Sequence, residues 1–504
     1  MRALLSVWDK SGLVDFARGL HDLGWELVSS GGTATAIADA GIPVLPLAEV
    51  TGFPEMLDHR VVTLHPKVHG GILADRGKES HLADMEEHGI AAFDMVVSNL
   101  YPFEQSPDIE TIDIGGPAMT RAAAKNHAWV AIVTAADQYD GVLAELREQG
   151  ALSDATRRAL ALEAFARTAQ YDAAIVDWLQ GDETLPQHLR LALERVDEPL
   201  RYGENPHQEA ARYRVLGARS WWDDVVQHMG MALSYLNYYD ADAAWTCAHD
   251  LQVAPGDGRP ACAIIKHANP SGAAVADDLA SAYRLALEAD ELSAFGGIVA
   301  FNRPLDAATA DLMAAGPQAD VVIAPGYDGG TIETLRKKRR NTRVLEAPPP
   351  TPLARDYRQL SGGFLVQDAP HFAAGRDAWT VPTTRVPNEE DWADIELAWR
   401  LCGHVKSNCV VLVKGGQAVG IGAGQQSRVA AGEIAAKKAA GRAKGGVSAT
   451  DGFYPFPDGV EAAAAAGVSV VVQPGGSVGD EKVITAADDL GLAMVFTGER
   501  HFLH

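Results

Sequence analysis

Two proton-active side chains stand together in Lys266-His267-Ala268-Asn269-Pro270-Ser271-Gly272, directly after the apolar run Ala261-Cys262-Ala263-Ile264-Ile265. The run reads as a buried strand that ends in a cation and an imidazole and then turns on Asn-Pro-Ser-Gly. Open α/β sheets bind ligands at such strand ends. An imidazole there can exchange a proton near neutral pH, and an ammonium can stabilise developing negative charge. A solvated lysine at an ordinary strand end is the competing reading.

Other reactive groups cluster in the same way. Ser30-Gly31-Gly32-Thr33 follows a strand and opens a helix. Its glycines let the backbone approach an anion, and the free N–H groups of a helix start favour phosphate. Thr33 equally suits an N-cap. Ser6 and Lys10 offer a hydroxyl and a cation at the same sheet edge, or serve as capping and surface groups. The segment from Arg60 through Thr63, His65 and Lys67 to Gly71 is a dense loop of the kind that holds sites, or else a rigid Pro/Gly connection. Asn99-Leu100-Tyr101-Pro102-Phe103 exposes a phenol after a strand, and Ile112-Asp113-Ile114-Gly115-Gly116-Pro117 sets a carboxylate beside a close-approach turn. Arg121 and Lys125 share one face if their segment is helical. Further along, Arg201-Tyr202-Gly203-Glu204-Asn205-Pro206-His207-Gln208 is compact and polar, and Lys406-Ser407-Asn408 precedes a strand. Gly420–Arg428 is glycine-rich and ends in a cation, but lacks the distal acid of a dinucleotide fingerprint. Asp451-Gly452-Phe453-Tyr454-Pro455-Phe456-Pro457-Asp458 reads as an aromatic turn. The basic run Arg336–Arg340 reads as a solvated helix end.

The elements that must position these groups alternate between strand and helix. Ala3–Val7, Trp25–Val28, Met95–Leu100 and Val130–Thr134 are strand-like, while Gly12–Leu23 has helical spacing of Leu13, Phe16, Leu20 and Leu23. Residues 155–180 read as helix. A polar segment with Pro186 and Pro199 then places a domain boundary near 195, giving domains 1–195 and 196–504. The second part is also α/β, with strands at Ala261–Ile265, Gly297–Phe301, Val321–Ala324, Val410–Val413, Val468–Val472 and Ala493–Phe496. Pro348-Pro349-Pro350-Thr351-Pro352 marks a loop between its halves. Strands alternating with helices imply parallel sheets covered on both faces.

Composition narrows the class. The 504 residues are 47% hydrophobic and 22% charged, as in ordinary globular proteins, with no apolar stretch of membrane-span length. The first residues resemble a strand rather than a signal segment, so a cytoplasmic protein is expected. A net charge of −24 argues against nucleic acid or an anionic membrane as partner. The four cysteines show neither CxxC spacing nor a histidine at metal-ligand spacing, so no metal site is expected.

The stretches SVWDKSGL, SSGGTA, TLHPKVHGGIL, NLYPF, IDIGGP, RAAAKNH, LRYGENPHQ, KHANPSG, SAFGGIVA, VIAPG, GGFLVQD, KSNCVV, GIGAGQQSR and the TGERHFLH tail run in order along essentially the whole chain. Together they resemble the bifunctional purine-biosynthesis family of AICAR transformylase/IMP cyclohydrolase. The resemblance implies an N-terminal methylglyoxal-synthase-like parallel-sheet domain that closes the purine ring. It also implies a C-terminal cytidine-deaminase-like α/β domain, in two similar halves, that transfers a formyl group from 10-formyltetrahydrofolate to AICAR. The deaminase zinc signature is missing, which fits a metal-free site. FAICAR, IMP and reduced folate are the other implied ligands, and a homodimer the implied assembly.

By the same resemblance, His267 would accept the amine proton, Lys266 stabilise the oxyanion or assist departure of the folate nitrogen, and Asn408 hold His267 or the formyl oxygen. Arg201, Tyr202, Gly296, Asp320, Arg428, Phe453, Arg500 and His504 would bind AICAR, with the cations on its phosphate, and Asp458 would meet the folate. In ring closure Asp113 and Lys125 would manage the amide proton and Tyr101 the oxyanion, while Ser6, Lys10, Ser30, Gly32, Thr33, Arg60 and Thr63 would hold phosphate and ribose.

Two stretches depart from the family pattern, at three positions. Val62 stands where RVKTLHP has lysine, a proposed proton donor, so cyclization at a reduced rate is expected, or else a transformylase whose N-terminal domain only senses nucleotide. Gly452-Phe453-Tyr454 replaces Ala-Phe-Phe and reads as a mild change.

Overall fold

The computed structural model describes residues 1–57, 60–216, 218–252 and 258–504, which form two compact units, Met1–Ala192 and Leu193–His504. In the first, β1 (Arg2–Val7), β2 (Glu26–Ser29), β3 (Leu45–Pro46), β4 (Met95–Asn99) and β5 (Ala131–Val133) form one sheet in the order β3-β2-β1-β4-β5, parallel throughout. Helices cover it, so its strands carry continuous apolar runs such as Ala3-Leu4-Leu5, fully buried. The Leu13–Asp22 helix buries Leu13, Phe16, Ala17 and Leu20, the stripe its spacing predicts. Chain order reverses between β1 and β4, and a crevice at the carboxyl ends of such neighbours is where an open parallel sheet takes ligand.

The second unit contains β6 (Leu193–Pro199), β7 (Ala211–Val215), β8 (Val226–Met229), β9 (Ala261–Lys266), β10 (Asn269–Val275), β11 (Ile298–Phe301), β12 (Val321–Ala324), β13 (Arg343–Glu346), β14 (Arg355–Leu360), β15 (Gly363–Asp368), β16 (Val410–Lys414), β17 (Gln417–Gly422), β18 (Val447–Thr450), β19 (Val470–Gln473) and β20 (Ala493–Phe496). Apart from the two-stranded β6-β7 and β14-β15, these form a single sheet in the order β20-β19-β18-β16-β17-β10-β9-β11-β12-β13-β8. The order contains a repeat. A hairpin, β9-β10, is followed by β11 antiparallel to β9 and then by parallel β12 and β13; β16-β17 is followed in the same way by β18, β19 and β20. The halves meet where β10 pairs antiparallel with β17.

The structure corrects two local readings. Asn269-Pro270-Ser271-Gly272 is not a turn but the start of β10, with a register shift between Pro270 and Gly272 that accommodates the missing proline N–H. The turn lies one step earlier, at His267 and Ala268. The dense loop of residues 60–71 is helical from Pro66 to Leu73; Pro66 suits the first helical position, and His65 caps it by accepting the Lys67 N–H on Nδ1.

Candidate active sites

In the first unit, Ser30 precedes the Gly31–Asp39 helix and no side chain caps that helix, so the amides of its first turn face outward from the rim of β2. Thr33 is not the cap. Its buried hydroxyl accepts the Val7 N–H at 3.2 Å and donates to the Val7 carbonyl at 2.9 Å, which staples helix to strand and uses the hydroxyl's one proton. Lys10 stands over this turn, its Nζ 3.8 Å from where a Gly32 Cβ would lie. Ser6, near the end of β1, pairs with Ser98 of β4. Asn99 ties the two strand ends together: its Oδ1 accepts the N–H of Trp8 and Asp9 at 2.7 and 3.1 Å, and its Nδ2 donates to the Asp9 carbonyl. Trp8 and Tyr101 thereby lie 6.4 Å apart, with Tyr101 half exposed. From sequence, Asn99 stands only as the start of the segment that exposes Tyr101; its role as a bridge between strand ends comes from the structure.

Asp113 lies at the start of the Gly115–Lys125 helix. Its Oδ1 accepts the Gly116 N–H at 2.8 Å, and its own N–H donates to Tyr171 Oη at 2.7 Å. Burial raises its carboxyl above the ordinary range, opposed by the backbone N–H groups of Gly116, Tyr101 and Gly115. A side chain at Gly116 would collide with that carboxylate. Buried Thr63 belongs to the same cluster, since a Gly115 Cβ would come within 2.6 Å of its hydroxyl. Arg60 is exposed and paired with Glu110. Lys125 is not gathered in. It ends the helix that Asp113 precedes, and ten residues of helix put about 15 Å of axis between Gly115 and Lys125. Val62 packs half-buried against the core.

In the second unit, the β9-β10 turn places His267 and Ala268 in the left-handed region, φ 54° and 53°. Each non-glycine residue held there costs on the order of 1–3 kcal/mol. Asp240, on the Tyr235–Asp250 helix, accepts the His267 N–H at 3.2 Å and the Ala268 N–H at 2.8 Å. Lys266 Nζ donates to the Phe295 carbonyl at 2.7 Å, beside Gly296. His267 is exposed. Asp320 follows in the same neighbourhood: a Gly296 Cβ would stand 4.0 Å from its Oδ1, and its charge acts with burial to raise Asp240. Burial also depresses the Arg343 guanidinium, with Asp320 opposing and Arg201 adding repulsion, which sets Arg201 near the group. Arg201 donates to Tyr202 Oη at 2.8 Å.

Asn269 links this group to the other half, its Oδ1 accepting the Lys406 N–H at 3.1 Å. Asn408 does not hold His267. Its Nδ2 donates to the Gln425 carbonyl at 2.9 Å, and the two residues also exchange backbone bonds. Arg428 is bound by its own protein, through Thr450 Oγ1, the Phe453 carbonyl and fully buried Asp451. These bonds use three of its five N–H groups and fix the guanidinium beside Phe453. Phe453 is exposed beside it, and Asp458, also exposed, opens the Asp458–Ala465 helix. The C-terminal tail is docked: Ser407 N–H donates to Leu503, His501 N–H to Asp451, and Arg358 to the His504 carbonyl. Arg500 lies over the Phe502 ring at 4.5 Å. At Gly452 a Cβ would meet the Phe502 ring at 2.6 Å and the Arg428 guanidinium at 2.7 Å, so in this structure an alanine there needs one of these two side chains to shift.

A family model for an MGS-like domain matches residues 12–127, and one described as AICARFT/IMPCHase bienzyme matches residues 123–438. The chain belongs to the AICARFT/IMPCHase bienzyme family. As a member it carries AICAR formyltransferase and IMP cyclohydrolase activities on one polypeptide. Its relatives include proteins called bifunctional purine biosynthesis protein PurH. That of Dinoroseobacter shibae is 50% identical over 527 residues, spanning 100% of this chain and 98% of the relative. Those of Roseobacter denitrificans and Synechococcus elongatus are 49% and 48% identical, again over all of this chain and over 98% and 99% of their own. Among the described residues, no helix is long and apolar enough to cross a membrane.

Proposed function

We propose that the second unit transfers the formyl group of 10-formyltetrahydrofolate to the 5-amino group of AICAR, and that the first closes the resulting FAICAR to IMP. The arylamine is a weak nucleophile because its lone pair is delocalised into ring and carboxamide. His267 takes the amine proton as the amine attacks the formyl carbon, and Lys266 stabilises the oxyanion. As the oxyanion collapses, the bond from the formyl carbon to the folate nitrogen breaks, and that nitrogen takes up the proton held on His267, releasing tetrahydrofolate. Arg201, Tyr202, Gly296 and Asp320 hold the nucleotide around that turn. Arg428 and Asn408 shape the site through their bonds to Asp451 and Gln425, with Phe453, Arg500 and His504 lining it and Asp458 toward the folate.

In the first unit, Gly31, Gly32 and Thr33 offer amides and Lys10 a cation to the phosphate. Ser6, Ser30, Thr63 and Arg60 complete the phosphate and ribose contacts. Ring closure is intramolecular, so positioning supplies much of the acceleration. Asp113 accepts a carboxamide proton as the amide nitrogen bonds to the formyl carbon, Tyr101 faces the oxyanion, and the former formyl oxygen then leaves as water with that proton and the one from the formamido nitrogen. Lys125 ends the helix that Asp113 precedes, and a Lys125→Ala variant decides its part. We place the enzyme in the cytoplasm as a homodimer.

The pairing of a Lys–His turn at one sheet rim with a phosphate cradle and a half-buried carboxylate at another carries this reading. The test is one incubation with AICAR and 10-formyltetrahydrofolate, in which tetrahydrofolate and IMP are followed separately. Both should form; tetrahydrofolate without IMP, with FAICAR accumulating, would leave a transformylase only.

A further inference from the structure

The sheet repeat extends to side chains. Asp240-Ala241-Asp242-Ala243-Ala244-Trp245 recurs as Asp394-Ile395-Glu396-Leu397-Ala398-Trp399, on helices that pack against β9 and β16. Both tryptophans are fully buried. Asp394 accepts the N–H of Gly415 and Gly416, each at 2.7 Å, in the β16-β17 turn, as Asp240 accepts those of His267 and Ala268. Lys414, just before that turn, donates to the Gly445 carbonyl at 2.8 Å, much as Lys266 donates to Phe295. The two turns share backbone shape, with φ 59° and 75° at the glycines and 54° and 53° at His267 and Ala268.

The difference between the copies is chemical. Glycine populates the left-handed region freely, so the β16-β17 turn needs little help to hold its shape. His267 and Ala268 do not, and an unheld hairpin would relax toward φ below zero, swinging the imidazole away. Asp240 is itself buried, so its two acceptor bonds are not readily exchanged for water.

We infer that Asp240 is a positioning residue for formyl transfer: by clamping two consecutive left-handed residues, it fixes the Lys266–His267 pair against the nucleotide. This rests on the reading that His267 takes the amine proton. Asp240 touches neither substrate nor reacting atoms in this role; it acts through the backbone of the turn.

The test compares purified full-length variants, with cyclization on the same chain as internal control. Asp240→Asn keeps one acceptor and turns the other into a donor. It should lower formyl-transfer kcat about 10- to 100-fold, the scale of a small misplacement of reacting groups, with the KM for AICAR within about threefold and cyclization unchanged. Ala268→Gly alone should be near wild type. In the Asp240→Asn background it should restore part of the lost kcat, because glycine adopts the left-handed shape without steric cost at one of the two clamped positions. Asp394→Asn, the matched change in the other half, should alter melting temperature but not kcat. If Asp240→Asn proves too unstable to purify, Asp240→Ser carries the same expectations. Full kcat in the Asp240 variant, no rescue by Ala268→Gly, or an equal kcat loss in Asp394→Asn would each overturn the inference. A His267→Ala variant at full rate would instead overturn the underlying reading.

Discussion

Replacing Asp113 with asparagine separates its structural work from its chemical work. Asn is nearly isosteric, and its Oδ1 can still accept the Gly116 N–H. The second carboxylate oxygen becomes an NH₂ facing the backbone N–H groups of Tyr101 and Gly115, which also converge on Asp113. Leaving a buried donor without its acceptor costs about 1–3 kcal/mol. For a unit of this size, that corresponds to about 2–4 °C in melting temperature per kcal/mol. The chemical loss should be far larger, about 10²–10⁴-fold in cyclization turnover, the span of a general base. Formyl transfer should persist, because none of its groups lies in this unit. The pH dependence has a definite sign. Burial raises the folded carboxyl above its ordinary 3.8, so the folded unit favours the protonated form. That stabilising contribution is complete below 3.8 and is lost as pH climbs through the raised value. The catalytic contribution runs the other way, since only the carboxylate can accept the amide proton. Asp113→Asn should therefore flatten the acid limb of the cyclization profile. The assay supplies FAICAR directly and follows IMP from pH 4 to 8. Cyclization within about tenfold of wild type, with the acid limb intact, would refute Asp113 as the base.

His267→Ala should lower formyl transfer about 10²–10⁴-fold while FAICAR closure continues, measured as tetrahydrofolate and IMP release. Val62→Lys, which restores the family residue at a half-buried site from which a lysine can extend its ammonium to solvent, should raise cyclization about tenfold or more; an unchanged rate would show that positioning alone sets it. Gly452→Ala should displace Phe502 or Arg428 and raise the KM for AICAR without affecting cyclization, as read from initial rates. Lys125→Ala should cost cyclization less than Asp113→Asn does, because it removes nothing within hydrogen-bond reach of that carboxylate.

Much of this architecture was legible in the sequence because the buried strands are continuous apolar runs. Val321–Ala324 and Ala493–Phe496 were read to the residue, and the helix expected at 155–180 spans Asp154–Gln180. The hairpin mates were harder. β10 begins Asn-Pro-Ser-Gly and β17 ends in glycines, so composition argues for turns while tertiary pairing makes strands. At the sites, sequence shows which groups have chemistry but not which are already engaged. Arg428 reads as a ligand cation, and only the structure shows buried Asp451 already bound to it; Thr33 reads as a cap until its hydroxyl is found on Val7. Asp113 and Lys125 are close in sequence, and a straight helix holds them apart.

Asp240 escaped notice for a different reason. A lone aspartate on a helix carries no motif, and Asp240 becomes informative only beside Asp394, once the strand order reveals that the unit is built twice. The duplication also explains how the chemistry could be placed. A β-hairpin with its central residues in the left-handed region points its turn at the sheet rim, and glycine makes that turn easy but chemically inert. Putting histidine there demands an acceptor for two backbone donors, and the Asp-to-turn device provides one in both halves. The half with glycines keeps the device and its lysine but has no imidazole. The half with His267 therefore differs at the turn, not in the scaffold, and the cost of that difference falls on the bonds Asp240 makes.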